Sequence, residues 1–148
     1  MTAGLRGRRA SGVQEAEPSP VVSLLLFEAA DCLMALPVSE VSQLLAQPGS
    51  GGPEQGASAT VTRVDLDDYF TGHPSSGPWL RWDRRDRGVW LRIVRVVEVL
   101  PYAIRGLAPI PAALRRTGRA GAFWAAGVRG DDVFLLVDPV RVMDQREG

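Results

Sequence analysis

The chain has 148 residues, a length that suits one compact domain or two very small subdomains that share a core. Its 17 basic residues are all arginine and balance 17 acidic residues, so the net charge selects neither nucleic acid nor an anionic membrane as a partner. The absence of lysine is typical of a GC-rich coding sequence and carries no functional prediction. Frequent Gly and Pro mark turns along the whole length, which favours many short strands over long helices.

The first 20 residues are polar and carry almost no large apolar side chains, so they predict a flexible tail. Arg6, Arg8 and Arg9 resemble the basic start of a signal peptide, but an acidic, proline-containing spacer separates them from the apolar run Val21–Phe27. That run is too short for a membrane span, which needs about 20 residues. The sequence therefore predicts a cytoplasmic protein without membrane insertion.

The apolar run Val21–Phe27 predicts a well-buried first strand. A turn over Glu28–Asp31 leads into a second strand, Cys32–Leu36, which Pro37 ends because proline cannot donate to a strand ladder. Cys32 is the only cysteine, so an intramolecular disulfide is impossible, and we interpret it as a small buried hydrophobe. These segments form the first predicted hairpin.

A helical turn and a loop follow this hairpin. Ser39 can cap the turn, and Val41, Leu44 and Leu45 then share one face at helical spacing. The next residues, Gln47–Ala59, are rich in Gly, Pro and Ser and predict a loop.

A short strand, Val61–Val64, leads into a second helical turn that Asp65 caps and Gly72 ends. The apolar residues at helical spacing in that turn are Leu66, Tyr69 and Phe70. Asp65, with Asp67 and Asp68, also suggests a divalent-metal site, but the glycine and glutamate of a calcium loop are missing at their places. The spacing favours a helix cap with acidic residues near the helix start.

Tryptophans and arginines alternate in the next predicted hairpin, Trp79–Trp82 and Gly88–Leu100, around a charged turn at Asp83–Arg87. One face of its second strand is expected to carry Val89, Leu91, Ile93 and Val97. Pro101 is expected to end it. Arginine beside aromatic rings over residues 79–95 also suits a small β-barrel that binds single-stranded nucleic acid, which is the alternative function.

The C-terminal part predicts a short helix and a last hairpin. Pro109 and Pro111 prepare a helix over Ala112–Thr117, which Gly118 ends. The final hairpin joins Ala122–Val128 to Val133–Val137 through Asp131 and Asp132 and exits toward a turn with Val140 and Met143. The side chains expected in the core are Leu26, Phe27, Leu36, Leu135 and Leu136.

Residues suited to catalysis or to cofactor binding do not form a recognisable pattern. A nucleophilic Cys32 would need a base, and the only histidine, His73, lies in a Gly-, Pro- and Ser-rich loop. A phosphate-binding glycine loop, metal-ligand spacing and a Ser–His–Asp set are all missing. The sequence therefore predicts a protein that is not an enzyme and uses no cofactor.

The order of these segments resembles that of CheW-like domains. The opening match is an apolar strand ending in Phe27, followed by Ala35–Leu44, which runs through Pro-Val-Ser-Glu-Val. Further matches are Val64-Asp65-Leu66 with Phe70 and Gly72, the strand Arg95–Pro101 with the pattern R-V-x-E-V-L-P, Pro109-Ile110-Pro111, Gly127-Val128, and Leu135–Pro139. The resemblance covers residues 21–143, which we take as the domain, with residues 144–148 as a C-terminal tail.

Two departures from the family pattern matter. Val94 stands where the family usually has an acidic residue before the arginine of R-V-x-E-V. In addition, the family segment of the type G-x-x-N-L-R-G-x-x-x-P, which is often involved in partner contacts, is replaced by Gln47–Thr60.

The resemblance implies an all-β fold of two small SH3-like β-barrel subdomains with short helical turns and a groove between them. It implies a non-enzymatic scaffold that couples the cytoplasmic tip of a methyl-accepting chemoreceptor to a CheA-type histidine kinase, with other CheW-like proteins as further partners. The altered middle segment suggests a reduced adaptor that binds the receptor better than the kinase.

Within that resemblance, the receptor contact is expected in a groove near the turn Pro37–Leu45. The candidate partner-binding residues are Val38 and Val41, with Glu40 at the rim. The same pattern is what a turn buried in the core requires, so burial of both valines is the alternative.

Overall fold

The computed structural model describes residues 20–45, 62–115 and 118–147. The strands of these parts are β1 Val21–Ala29, β2 Cys32–Pro37, β3 Val41–Leu45, β4 Arg63–Asp65, β5 Trp79–Arg84, β6 Arg87–Arg92, β7 Arg95–Ala103, β8 Ala108–Pro109, β9 Phe123–Arg129 and β10 Asp132–Val137. The helices are α1 Leu66–Thr71, α2 Ala112–Arg115 and α3 Pro139–Glu147, and 3₁₀ turns cover Val38–Glu40, Ile104–Gly106 and Gly118–Ala122. The predicted loop Gln47–Ala59 and the predicted tail, apart from Pro20, lie outside the described residues.

The strands of the described residues form two sheets, which confirms the all-β class. One has the strand order β7-β1-β2-β10-β9-β8, and the other has the order β3-β5-β6-β4. The pairs β2–β10 and β4–β6 are parallel, and the other neighbours are antiparallel. The two terminal hairpins, β1–β2 and β9–β10, therefore meet at the centre of the larger sheet.

Strand β1 is apolar on both faces because each face packs against a different core. Leu25 and Phe27 belong to a first core, which also takes in the inner face of the four-stranded sheet and helices α1 and α3. Leu24 and Leu26 point the other way, into a second core formed within the six-stranded sheet around Phe134. This explains why Val21–Phe27 reads as a continuous apolar run and not as an alternation.

The predicted core is confirmed except at one position. Leu26, Phe27, Leu36 and Leu136 are at most 2% exposed. Leu135 is half-buried, so its assignment to the core is wrong. It lines an open cavity at the end of the larger sheet, together with Val133 and the exposed Cys32.

The prediction that Cys32 is buried is also wrong. Cys32 is the first residue of β2, directly after the tight turn at Ala30 and Asp31, which both have positive φ. Its register partner Ala29 is buried in the first core, but Cys32 itself lines the open cavity, so the thiol is exposed.

The helical turn predicted after Pro37 forms a strand instead. Residues Val38–Glu40 make one 3₁₀ turn, and Val41–Leu45 then pair with β5, with Leu44 opposite Leu80. Main-chain pairing with a neighbouring strand outweighs the helical spacing of the three apolar residues.

The long strand predicted over Gly88–Leu100 is divided between the two sheets. The chain leaves the smaller sheet at Ile93, whose N–H donates to Pro78 O (3.0 Å), and joins the larger one where Val94 N–H donates to Glu28 O (2.8 Å). Val97 therefore packs against the second core, away from Ile93 in the first, and the predicted common face is wrong.

Pro101 does not end its strand, because β7 continues to Ala103. Strand β7 is an edge strand of the larger sheet, so one side of its backbone does not pair with another strand. A proline is tolerated there.

Other local predictions are confirmed. Asp65 caps α1 by accepting from Asp68 N–H (3.2 Å), and Gly72 ends it with φ of +83°. The final hairpin also forms, but its turn is Gly130 and Asp131, while Asp132, a predicted turn residue, begins β10 opposite Arg129.

The turn predicted around Val140 and Met143 is a helix, α3, which continues to Glu147. Asp138 begins it by accepting from Val140 N–H (3.0 Å).

Candidate functional site

An apolar groove of about 300 Å³ lies at one end of the larger sheet, where β1 and β9 begin and β2, β7 and β10 end. Its lining comes from strands and turns far apart in sequence: Val22, Leu24, Pro37, Ile104, Leu107, Pro109, Trp124, Ala125 and Leu136. These side chains are all apolar or aromatic. Such a surface can bind an apolar partner but offers no acid, base or nucleophile.

The floor and the rim of the groove differ in exposure. Leu24, Ala125 and Leu136 form the floor and belong to the second core. Ile104 and Trp124 stand at the rim and are 47% and 39% exposed. A half-exposed tryptophan beside a concave apolar floor is the arrangement found at energetically dominant positions of protein interfaces.

Main-chain hydrogen bonds hold the rim in place. Ile104 N–H donates to Pro20 O (2.9 Å), and Ile110 N–H donates to Trp124 O (3.1 Å). Ala125 also pairs with Pro109 across β8 and β9. Because the backbone fixes both walls, the groove is formed before any partner arrives.

Side-chain hydrogen bonds join β7 to β9, two strands of the larger sheet that are not neighbours in it. The Tyr102 hydroxyl accepts from Val128 N–H (3.0 Å), which links β7 to β9. Arg129 of β9 donates to Glu98 of β7 (2.9 Å), and its hydrogen bonds to Glu98 and Asp132 raise the pKa of Arg129. The guanidinium therefore stays charged, and the link is structural.

The candidate partner-binding residues follow Pro37, a residue of the groove lining: Val38 and Glu40 lie in the 3₁₀ turn, and Val41 begins β3. Val38 and Val41 are half-buried and pack against the first core. The Glu40 carboxylate accepts from the Trp82 indole N–H (2.8 Å) and from Arg84 (3.3 Å). The lining of the groove includes Pro37 but none of these three residues.

Sequence reasoning missed the rim residues Ile104 and Trp124 and the lining residue Leu107. The available signal was Trp124, a large aromatic side chain next to the small, buried Ala125 in a strand. The contribution of Ile104 depends on how the chain turns after β7, which local spacing does not reveal.

The hairpin of β5 and β6, in which tryptophans alternate with arginines, does not present free aromatic rings. Trp79, Trp82 and Trp90 are 9%, 0% and 8% exposed. An arginine lies over each ring, with the guanidinium carbon 5.0–5.7 Å from the ring centroid: Arg92 over Trp79, Arg84 over Trp82 and Arg81 over Trp90. Stacking of nucleic-acid bases needs accessible rings, so this hairpin lacks the feature that suggested nucleic-acid binding.

Two of the three aspartates that suggested a metal site accept hydrogen bonds from main-chain N–H groups of the chain. Asp65 accepts from Asp68 N–H and from Ser75 N–H (2.8 Å), and Asp67 accepts from Ala30 N–H (2.6 Å). His73 is exposed in the loop after α1. In the parts of the chain that the structure describes, His, Cys, Asp and Glu side chains do not gather into a group that could hold a metal ion.

Within residues 20–45, 62–115 and 118–147, each helix is too short or too polar to cross a lipid bilayer.

Comparison with known proteins identifies the fold. No protein-family model matches the chain, and no curated protein matches its sequence. Among solved structures, the chain is similar to the scaffolding protein TtCheW from Thermoanaerobacter tengcongensis, with a TM-score of 0.61 and 14% sequence identity. The match covers 78% of this chain and 88% of that one. The chain therefore has a CheW-like fold, as the order of its sequence segments predicted.

Proposed function

We propose that the protein is a non-enzymatic signalling scaffold that couples a chemoreceptor to a histidine kinase in a chemotaxis-like pathway in the cytoplasm. The observation that carries the proposal is the preformed apolar groove at the end of the larger sheet, in a fold shared with a scaffolding protein. A protein that works by contact needs an accessible apolar surface, and the groove provides one without catalytic groups.

The groove suits the tip of a helical hairpin, the form that the cytoplasmic end of a chemoreceptor takes. An amphipathic helix docks by placing apolar side chains into a concave apolar floor, here Leu24, Ala125 and Leu136. Trp124 and Ile104 at the rim would then become buried. The turn with Val38, Glu40 and Val41 lies next to Pro37, where it would border the bound helix.

The kinase is the weaker partner in this proposal. The family segment that often contacts partners is replaced by Gln47–Thr60, which is rich in Gly, Pro and Ser. A Gly-rich sequence loses much backbone entropy when a contact fixes it, which lowers affinity. The protein would then act as a reduced adaptor with one strong contact, to the receptor.

A charge placed at the rim of the groove tests the proposal. Ile104→Glu should weaken binding to a purified receptor cytoplasmic fragment by at least about tenfold, because a carboxylate would be desolvated against apolar surface. Val99→Glu is the matched control, since Val99 is 54% exposed on β7 and lies outside the groove lining. The affinities are measured by isothermal titration calorimetry, with circular dichroism as a check on folding.

Two outcomes would contradict the proposal. Equal affinities for the Ile104→Glu and Val99→Glu variants would exclude the groove as the contact. Equal micromolar or tighter affinities of the unmodified protein for receptor and kinase would exclude the reduced adaptor.

A further inference from the structure

Glu40 makes a contact that its position in an exposed turn does not suggest. Its Oε1 atom accepts from the indole N–H of Trp82 at 2.8 Å, and the Trp82 side chain is fully buried. Its Oε2 atom accepts from Arg84 Nε at 3.3 Å, and the Arg84 guanidinium lies over the Trp82 ring, 5.0 Å from its centroid. The Glu40 carboxylate is thus the acceptor for a donor inside the first core.

This contact joins the two sheets at the turn between them. Glu40 ends the 3₁₀ turn that connects β2 of the larger sheet to β3 of the smaller one. Trp82 lies on β5 and pairs in register with Val41, the residue after Glu40. Pro37, the residue before the turn, lines the apolar groove. The Glu40–Trp82 bond therefore fixes one wall of the groove relative to the smaller sheet.

The Glu40 carboxylate is engaged by groups of its own chain and is largely shielded from solvent. Its side chain is 23% exposed, and both carboxylate oxygens already accept hydrogen bonds. A direct ion pair with a partner would have to compete with Arg84 for the same oxygens. Loss of the carboxylate, by contrast, would leave the buried Trp82 N–H without an acceptor and release the turn.

We propose that Glu40 is a positioning residue for the groove: it holds the Val38–Glu40 turn through Trp82, and it does not bind the partner itself. The effect on partner affinity rests on the proposed function. The effect on the turn does not, because it depends only on contacts within the chain.

The first experiment compares two variants of Glu40 in receptor binding. Glu40→Gln keeps an amide oxygen that can accept from Trp82 N–H, whereas Glu40→Ala removes the acceptor. Affinity for the receptor fragment should fall about tenfold in Glu40→Ala and less than about threefold in Glu40→Gln, because only the Ala variant leaves the Trp82 N–H without an acceptor and so releases the turn that holds the groove wall. The matched control is Glu28→Ala, which removes a surface carboxylate paired with Arg95 (2.8 Å). It should leave the affinity unchanged. Equal losses in the Gln and Ala variants would overturn the proposal.

The second experiment needs no partner. Hydrogen exchange at the Trp82 indole N–H and at the Val41 amide, followed by NMR, should accelerate about tenfold in Glu40→Ala and stay near the unmodified rates in Glu40→Gln. Unchanged exchange in a folded Glu40→Ala variant would overturn the positioning role. Accelerated exchange in a protein that does not bind the receptor fragment would sustain the positioning role and reject the proposed function.

Discussion

Tyr69 shows how one side chain can join helix α1 to helix α3 and to the 3₁₀ turn Gly118–Ala122. Its hydroxyl donates to Gln145 of α3, and its ring packs edge-on against Phe70, with centroids 4.8 Å apart. Arg119 lies over the ring at 4.4 Å and donates to the Tyr69 carbonyl at 2.7 Å. Burial raises the pKa of Tyr69, and the positive charge of Arg119 partly opposes this shift. The neutral phenol is therefore the form that the fold favours.

The pKa shift of Tyr69 predicts a loss of stability at alkaline pH. Because its folded pKa lies above the unfolded value of about 10, its contribution is complete below pH 10 and is lost as the pH rises through the folded pKa. Urea unfolding of the protein and of Tyr69→Phe between pH 8 and about 11.5 measures this. The difference in free energy of unfolding between the two should change only above about pH 10. A constant difference across the whole range would show that Tyr69 ionises in the folded state as it does in the unfolded chain.

At the scale of elements, strand β10 has two faces with different surroundings. Phe134 and Leu136 point into the second core, while Val133 and Leu135 line the open cavity near Cys32. Gly127, opposite Phe134 in β9, has no space for a side chain, because an added Cβ would collide with the Phe134 ring. Packing is therefore tight on the face with Phe134, whereas the opposite face of β10 is buried at Val137 but open to the cavity at Val133 and Leu135.

Neighbouring leucines of β10 should respond differently to truncation. Leu136→Ala should lower the free energy of unfolding by about 2–5 kcal/mol, the range for a buried leucine. Leu135→Ala should cost about 1 kcal/mol, since the side chain is half-buried and open to solvent. Chemical denaturation of both variants measures the difference. Equal costs would mean that the cavity beside Leu135 is closed in solution.

Much of the order of elements could be predicted from the sequence because turn chemistry is local. The Asp65 cap, the Gly72 stop and the apolar run of β1 each depend on a few adjacent residues. The strand Val41–Leu45 could not be predicted, because its spacing fits a helix until β5 pairs with it. The groove could not be predicted either, because Trp124 and Ile104 are far apart in sequence and line one groove only in the folded larger sheet.

At the scale of the whole molecule, the two cores share a hairpin. Leu25 and Phe27 of β1 serve the first core, and Leu24 and Leu26 serve the second. Loss of order in either core would therefore displace the strand that forms the wall of the other. The two sheets are parts of one folding unit.

Unfolding should accordingly be a single cooperative transition. Tryptophan fluorescence reports mainly on the smaller sheet, with Trp79, Trp82 and Trp90, and far-ultraviolet circular dichroism reports on both sheets. The two urea transitions should coincide, and Phe134→Ala in the second core should shift both midpoints together. Separate midpoints would show that each sheet folds alone.

The parallel pairing of β2 with β10 has a consequence for synthesis on the ribosome. The strands are neighbours in the centre of the larger sheet, yet about 95 residues separate Pro37 from Asp132. At a translation rate of roughly 5–20 residues per second, the first hairpin waits some 5–20 seconds with an open, apolar edge before its partner strand emerges. We expect the nascent chain to expose an unpaired apolar strand edge during that interval, and to cover it only when its last hairpin is complete.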